Sequence, residues 1–197
     1  MKLLRLTEID LGEAADRLCC VLRRPGAVAL VPTETVYGLV ARAGDEEAVR
    51  RIYALKRRSA SKALGWFIGD WRRLPEFGVM LDGWPERLAA EYCPGPLTII
   101  APRNDGTTQG FRVPDTPLLA AVLGKLDCPL VQTSANASGM PDAESCQEAL
   151  AQLCGEVDCA VDGGRIVGPL LASTVVEAVG ETIKILRKGP IDLQKWL

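Results

Sequence analysis

The sequence predicts an α/β (α+β) fold, a single domain over residues 1–197 with a twisted mixed parallel and antiparallel sheet flanked by helices. Two observations predict it. Short, continuous apolar runs typical of buried strands alternate with segments of helical period. No internal repeat, low-complexity tract or long linker divides the 197 residues, a length that one hydrophobic core can serve.

Residues 1–6 read as a short edge strand. Asp10-Leu11-Gly12-Glu13 resembles a capping box and opens a helix whose apolar face includes Ala14, Leu18, Val21 and Leu22. Pro25-Gly26 ends it, and residues 27–31 form an unbroken apolar run, hence a buried strand. Asp45 is placed to cap a second helix running through Val49, Ile52, Tyr53 and Lys56. Strands are expected at 63–68 and 97–101, a helix at 117–126, and a further strand at 129–132 leading into a polar turn. The last three expected strands lie at 159–161, 173–179 and 183–186.

Composition removes several functional classes. At 48% hydrophobic and 24% charged residues the chain is an ordinary globular one. No apolar run reaches the roughly 18 residues needed to cross a bilayer, and Glu8, Asp10 and Glu13 interrupt any secretory apolar region. The chain therefore reads as cytoplasmic, with no membrane partner. There is no histidine, and the seven cysteines include no CxxC pair, so no metal site is expected. Cys146, Cys154 and Cys159 read as small core residues in a reduced compartment. A net charge of −2 disfavours a long nucleic acid as primary ligand but permits a local basic cleft.

Neither a P-loop nor a GxGxxG is present. Polar and basic residues gather instead in loops beside strands. Residues 32–38 (PTETVYG) follow a buried strand, and local physics favours a helix N-cap there with Thr33 or Thr35 as the capping oxygen. Lys56-Arg57-Arg58 with Lys62 complements a helix C-terminus and also suits a polyphosphate. Arg112, within GFRVPD, requires a partner because an isolated buried charge is costly. Residues 133–139 crowd hydroxyl and amide groups after a core strand, Ser173-Thr174 begins a strand, and Arg187 ends one.

In order, these segments resemble the YrdC family of threonylcarbamoyl-AMP synthases. The matching stretches are VPTETVYGL (31–39), LKRR with Lys62, CPGPLTIIAP (93–102), FRVPDTP (111–117), QTSANASG (132–139), DGG (162–164), STVVE (173–177) and ILRKGPI (185–191). They cover nearly the whole chain, so the signal is specific where any single stretch would be weak. The resemblance implies a large, positively charged concave cavity. It also implies a nucleotidyltransferase that joins L-threonine, bicarbonate and ATP, releasing pyrophosphate, for N6-threonylcarbamoyladenosine modification of tRNA. Carried over by position, the catalytic tetrad is Lys56, Arg58, Ser134 and Asn136. ATP contacts fall on Arg58, Lys62, Thr108, Ser134, Asp142 and Arg187. Threonine contacts fall on Thr35, Phe67, Arg112, Gln132 and Ser173, some of them, Gln132 especially, through the main chain. Magnesium accompanies ATP on its phosphates, and tRNA and a separate threonylcarbamoyl transferase are the implied downstream partners. The chain departs from the family pattern at Ala63, Gly65, Trp66 and Gln132, on one wall of the expected cavity. The extra C-terminal domain of longer relatives is expected to be missing.

The absence of histidine is compatible with this chemistry. The attacking N-carboxylated amino acid is already an anion, so the reaction needs charge neutralisation and alignment more than a base. Two alternatives stay open: an RNA-binding module of the same family, opposed by the 5% aromatic content, and a paralogous carbamoyl- or adenylyl-transfer enzyme with another substrate.

Overall fold

The computed structural model describes residues 1–167 and 171–196. Strand β1 (Lys2–Arg5) lies at one sheet edge and is followed by helix α1 (Leu11–Leu22). Asp10 caps α1 by accepting from the Glu13 amide. The reciprocal half of a capping box does not form, because the Glu13 carboxylate pairs with Arg17 one turn on. Then come β2 (Ala29–Val31), β3 (Gly38–Arg42) and α2 (Glu46–Lys56), whose N-cap Asp45 accepts from Ala48. The middle of the chain holds β4 (Gly65–Phe67), a 3₁₀ segment Trp71–Phe77, α3 (Trp84–Tyr92), β5 (Leu97–Pro102) and β6 (Thr108–Arg112). The rest is α4 (Pro117–Lys125), β7 (Leu130–Ser134), α5 (Cys146–Gln152), β8 (Cys159–Asp162), β9 (Thr174–Val179), β10 (Thr182–Arg187) and a final 3₁₀ turn, Gln194–Trp196.

All ten strands of the described residues join one sheet, in the order β1-β8-β2-β3-β7-β4-β6-β5-β9-β10. Pairing is parallel in β1–β8, β8–β2, β4–β6 and β5–β9 and antiparallel elsewhere. The mixed sheet expected from the alternating pattern is what forms. Helices α1 and α4 cover part of one face, burying Leu18, Leu22, Leu119 and Val122 against Val40, Phe67 and Leu130. On the other side, α2 and α5 close a second core around Tyr37, Leu39, Ile52 and Ala149. A third core, around Leu74, Leu88, Leu97 and Phe111, ties α3 and the C-terminal residues to the far half of the sheet. Each fully buried leucine contributes about 1.5–3 kcal/mol relative to exposure, so these contacts hold the sheet's twist firmly.

Two expectations need correction. Residues 32–38 cap no helix: they run directly into β3, which is paired on both edges, with β2 and β7. Thr33 Oγ1 uses its capping capacity locally, accepting from the amides of Thr35 and Val36 at 3.1 Å and donating to Val36 O at 2.6 Å. Cys154 is exposed, with its sulfur 3.5 Å from Arg57 Nη2, and is not a core residue. Cys146 and Cys159 are buried as expected, and burial pushes both thiols up to about 11.

One backbone approach near the C-terminus is unusually close. A Cβ at Gly189 would stand 2.4 Å from the Thr174 amide nitrogen and 2.5 Å from Ala172 O. These are backbone atoms of the chain entering β9, which cannot swing aside. Gly189→Ala is therefore expected to lower the unfolding free energy by about 1–3 kcal/mol for overpacking, and with it the unfolding midpoint, and to displace Ser173, as read by denaturant unfolding of both proteins. An unchanged midpoint would show that the segment yields freely.

Candidate functional site: a cationic hollow on one sheet face

Beyond the ends of α1 and α4, the same sheet face is left open and forms a cavity of about 360 Å³, within the range of small-molecule sites. Pleating explains its lining. Residues directly opposite on neighbouring strands share a face, and successive residues alternate. Gly65 stands opposite both Gln132 and, by the β4–β6 register, Gly110; Ile100 stands opposite Gly110; Thr98 stands opposite Val175. All of these line the cavity. Gly65 and Gly110 make the floor, where side chains would otherwise fill the space.

Arg187 reaches this face through a bulge. From Thr182 to Ile185, β10 pairs with β9 in steady antiparallel register, which would set Arg187 opposite Thr174 on the core side. The register slips by one between Ile185 and Arg187, so Arg187 stands opposite Val175 instead. Its guanidinium is then fixed by Ser173, with Nε 2.9 Å from the carbonyl oxygen and Nη2 3.1 Å from Oγ. Ser173 Oγ also lies 2.8 Å from Thr98 Oγ1. Burial lowers the Arg187 pKa, the Asp142 charge opposes that shift, and Arg112 adds to it.

Arg112 is 4% exposed, yet it borders the same hollow. Its Nε donates to Gly95 O at 3.1 Å and Nη1 to Thr35 Oγ1 at 3.1 Å, while its carbon centre stands 5.7 Å over the Phe67 ring. Nη2 lies 2.5 Å from Glu34 Oε1, an ion-pair distance, but without the alignment of a hydrogen bond. The Nη2 protons and Glu34 Oε2 are left without hydrogen-bond partners. Nη2 thus meets a carboxylate without hydrogen-bonding it, so a second carboxylate entering from the cavity would compete with Glu34 for this edge. Glu34 is itself held by the Asp115 amide, which donates to Oε1 at 2.9 Å.

The tetrad divides between the cavity and its support. Arg58 lines the cavity from the loop after α2, with Nη2 donating to Ala63 O at 3.2 Å. That loop turns at Arg57, in the left-handed region at φ 48°, and Tyr53 donates to Lys62 O at 2.9 Å to hold it. Ser134 lines the cavity and donates to Asn136 Oδ1 at 2.5 Å; Asn136 Nδ2 donates to Met140 O at 2.5 Å. Lys56 does not border the cavity. It is 1% exposed, and its ammonium donates to Ser134 O, to Asn136 O at 2.6 Å and to Asn136 Oδ1 at 3.2 Å. Its own carbonyl accepts from Ser138 at 3.0 Å, so Lys56 ties α2 to the 133–139 turn from both ends of the residue.

Of the remaining sequence-derived residues, Thr35, Thr108, Gln132 and Ser173 border the cavity. Phe67 lies beneath Arg112 instead. Lys62 and Asp142 stand outside the lining, although the Asp142 charge is felt by both Lys56 and Arg187. Sequence reasoning missed Glu34, Thr98 and Gly110. A threonine inside the apolar run LTII was the available signal for Thr98; the other two lie within the marked segments 32–38 and GFRVPD, where they were given no role. Among the described residues, no group of three His, Cys, Asp or Glu is placed to hold a metal ion.

Burial, and next the charge of Arg58, lower the Lys56 pKa to about 8 from 10.5. The folded protein thus releases this proton before the unfolded chain does, and between pH 8 and 10.5 the unfolded state binds more protons. Stability contributed by this residue is therefore smallest below pH 8 and rises across that window. Wild type is expected to gain stability relative to Lys56→Met between those limits in denaturant unfolding. Parallel curves would mean that Lys56 titrates normally.

A mixed sheet that gathers Arg58, Arg112 and Arg187 around one hollow defines an anion-binding α/β protein. Comparison with known proteins narrows this. Residues 21–189 match the Sua5/YciO/YrdC family model, described as telomere recombination, and the chain belongs to that family. A Chromohalobacter salexigens protein named threonylcarbamoyl-AMP synthase is 35% identical over 185 residues, covering 87% of this chain and 98% of its own. A Pyrococcus abyssi protein of the same name is 31% identical over 189 residues, or 91% of this chain and 55% of its own length. The structure of P. abyssi Sua5 complexed with L-threonine superposes with a TM-score of 0.85 at 29% identity, over 98% of this chain and 58% of that one. Escherichia coli YciO shares the fold, with a TM-score of 0.84 at 23% identity over 100% of this chain and 98% of that one. The chain thus spans little more than half the length of the P. abyssi relative.

Proposed function

We propose that this protein is an L-threonylcarbamoyladenylate synthase, forming threonylcarbamoyl-AMP and pyrophosphate from L-threonine, bicarbonate and ATP. The observation that carries the reading is the convergence of Arg58, Arg112 and Arg187 on one hollow from distant parts of the chain. The threonine amine and bicarbonate first give an N-carboxylate and water. An oxygen of that carboxylate then attacks the α-phosphorus, and the bond to the β-phosphate breaks to release pyrophosphate. Arg112 binds the amino-acid carboxylate through Nη2, in exchange for its ion pair with Glu34, beside Thr35 and Ser173. Arg58 and Arg187 offset the triphosphate charge, with Thr108 and Ser134 at the phosphate oxygens; Lys62 and Asp142 take the nucleotide contacts that the family resemblance gives them. Lys56 and Asn136 act as positioning residues for the 133–139 turn. Phe67 and Gln132 complete the threonine side of the site.

Magnesium would arrive with ATP. The lining supplies cationic and hydroxyl groups that suit phosphate oxygens, and those oxygens would hold the ion. Its chemistry there is to neutralise the leaving pyrophosphate. Residues 1–197 act as one domain, in keeping with a single continuous sheet. No described helix is long and apolar enough to cross a membrane; the setting of the reaction is the cytoplasm. The product passes to a separate threonylcarbamoyl transferase acting on tRNA.

Mass spectrometry of the product tests this directly. Incubation with ATP, bicarbonate and threonine should yield threonylcarbamoyl-AMP, and omission of any one should abolish it. Failure to form it with all three present ends the proposal.

A further inference from the structure

Resting on that reading of the cavity, we propose that the side-chain amide of Gln132 is a specificity contact that hydrogen-bonds the hydroxyl of the amino-acid substrate. Three observations support it. Gln132 borders the cavity, on the face shared with Arg112. Its amide makes no hydrogen bond to any described residue, whereas the neighbouring Gln109 amide is committed, donating to Leu64 O at 3.1 Å and Gly110 O at 2.9 Å. And the strand beside it is cut back to receive it: Gly65 stands directly opposite, and a Cβ there would lie 2.6 Å from Gln132 Nε2. Gly65 and Gln132, two separate departures along the sequence, are therefore one adjacent pair in space. The glycine leaves room, and the glutamine places a donor and an acceptor in it.

An amide with both capacities suits a hydroxyl, which also donates and accepts. It gives no advantage to an isosteric methyl. Threonine and valine differ in that way and have nearly the same shape. A site with a buried hydrogen-bonding group discriminates against the analogue that leaves the group unpaired.

The test compares pyrophosphate release from ATP and bicarbonate with threonine, serine and valine, in wild type, Gln132→Ala, Gly65→Ala and the double variant. Gln132→Ala is expected to shrink the threonine-to-valine ratio of kcat/KM about tenfold, the size of one hydrogen bond. Gly65→Ala should shrink it too, because the new methyl displaces the amide. In the double variant the added methyl should have no further effect on the ratio, since the side chain it displaces is gone. Thermal unfolding of each variant separates lost discrimination from lost fold. A ratio unchanged in Gln132→Ala overturns the inference alone. A wild-type protein that releases no pyrophosphate with threonine overturns the underlying reading, and this inference with it.

Discussion

Arg112→Ala is expected to lower kcat/KM for threonine by at least about 100-fold, with most of the loss in KM for the amino acid and little in KM for ATP. The reason is the unusual completeness of its fixation. Gly95 O, Thr35 Oγ1 and the Phe67 ring hold the guanidinium from three directions, and Nη2, ion-paired to Glu34 without a hydrogen bond, is the edge a substrate carboxylate would take over. A charge-assisted contact of this type is worth roughly 1.5–3 kcal/mol, about 10- to 150-fold, before alignment of the carbamate is counted. Removal also strands Glu34, whose Oε2 already lacks a partner, so the variant should lose stability as well. Arg112→Lys separates the two effects. It restores a positive charge beside Glu34 but cannot reach Gly95, Thr35 and a ligand at once. Stability should largely return while threonine-dependent pyrophosphate release stays low. Near-normal activity in the lysine variant would show that charge alone suffices, and that the bidentate role is wrong.

The second large effect is expected at Lys56. Lys56→Ala leaves Ser134 O and Asn136 O without their shared donor and frees the Asn136 side chain. Each buried carbonyl left unpaired costs about 1–3 kcal/mol, partly offset because a buried ammonium no longer has to be desolvated. The turn that presents Ser134 to the cavity would then loosen. Pyrophosphate release is expected to fall by two orders of magnitude or more through weakened ATP binding, accompanied by a lower unfolding midpoint. This outcome differs from that of Arg58→Ala, where a half-buried side chain is removed from the lining and the fold should be untouched. Isothermal titration with ATP alongside denaturant unfolding distinguishes them. Loss of ATP binding with full stability in Lys56→Ala would mean that its ammonium contacts the nucleotide and not the turn.

Much of this architecture was legible in the residues because the signals are local. Asp10 and Asp45 cap α1 and α2 where they stand in the sequence, and the apolar runs of β2, β5 and β8 are buried strands. What was hidden depends on distant partners. Strand β3 follows a threonine-rich loop that reads as a helix start, and pairing with β2 on one edge and with β7, nearly a hundred residues away, on the other makes it a strand. Helix α3 begins after Gly83 in a positive-φ conformation and carries a proline at its start, which obscures its period. Helix α5 did announce itself: Ser145 accepts from the Glu148 amide in a Ser-x-x-Glu pattern, but seven residues gave too little periodicity to read. In the site, the basic and hydroxyl residues stood out as clusters, and eight of the expected residues border the hollow: Thr35, Arg58, Thr108, Arg112, Gln132, Ser134, Ser173 and Arg187. Their division of labour was not visible. A lysine in a basic run looks like a phosphate ligand, and only its three oxygen neighbours identify Lys56 as a brace. Glu34, Gly95 and Thr98 matter through contacts made across the sheet, which no short window contains.

One surplus residue, and not only side-chain identity, decides which way the last cation turns. Counting on from Thr182 in even register reaches Val175 at Leu186, whereas Arg187 is the residue found there. The two counts differ by one, and the bulge absorbs the difference by giving two residues to one partner. With Leu186 deleted the counts would agree and the arginine would still fall opposite Val175, so the charge at this edge of the hollow is written in the spacing of the segment as much as in its side chains.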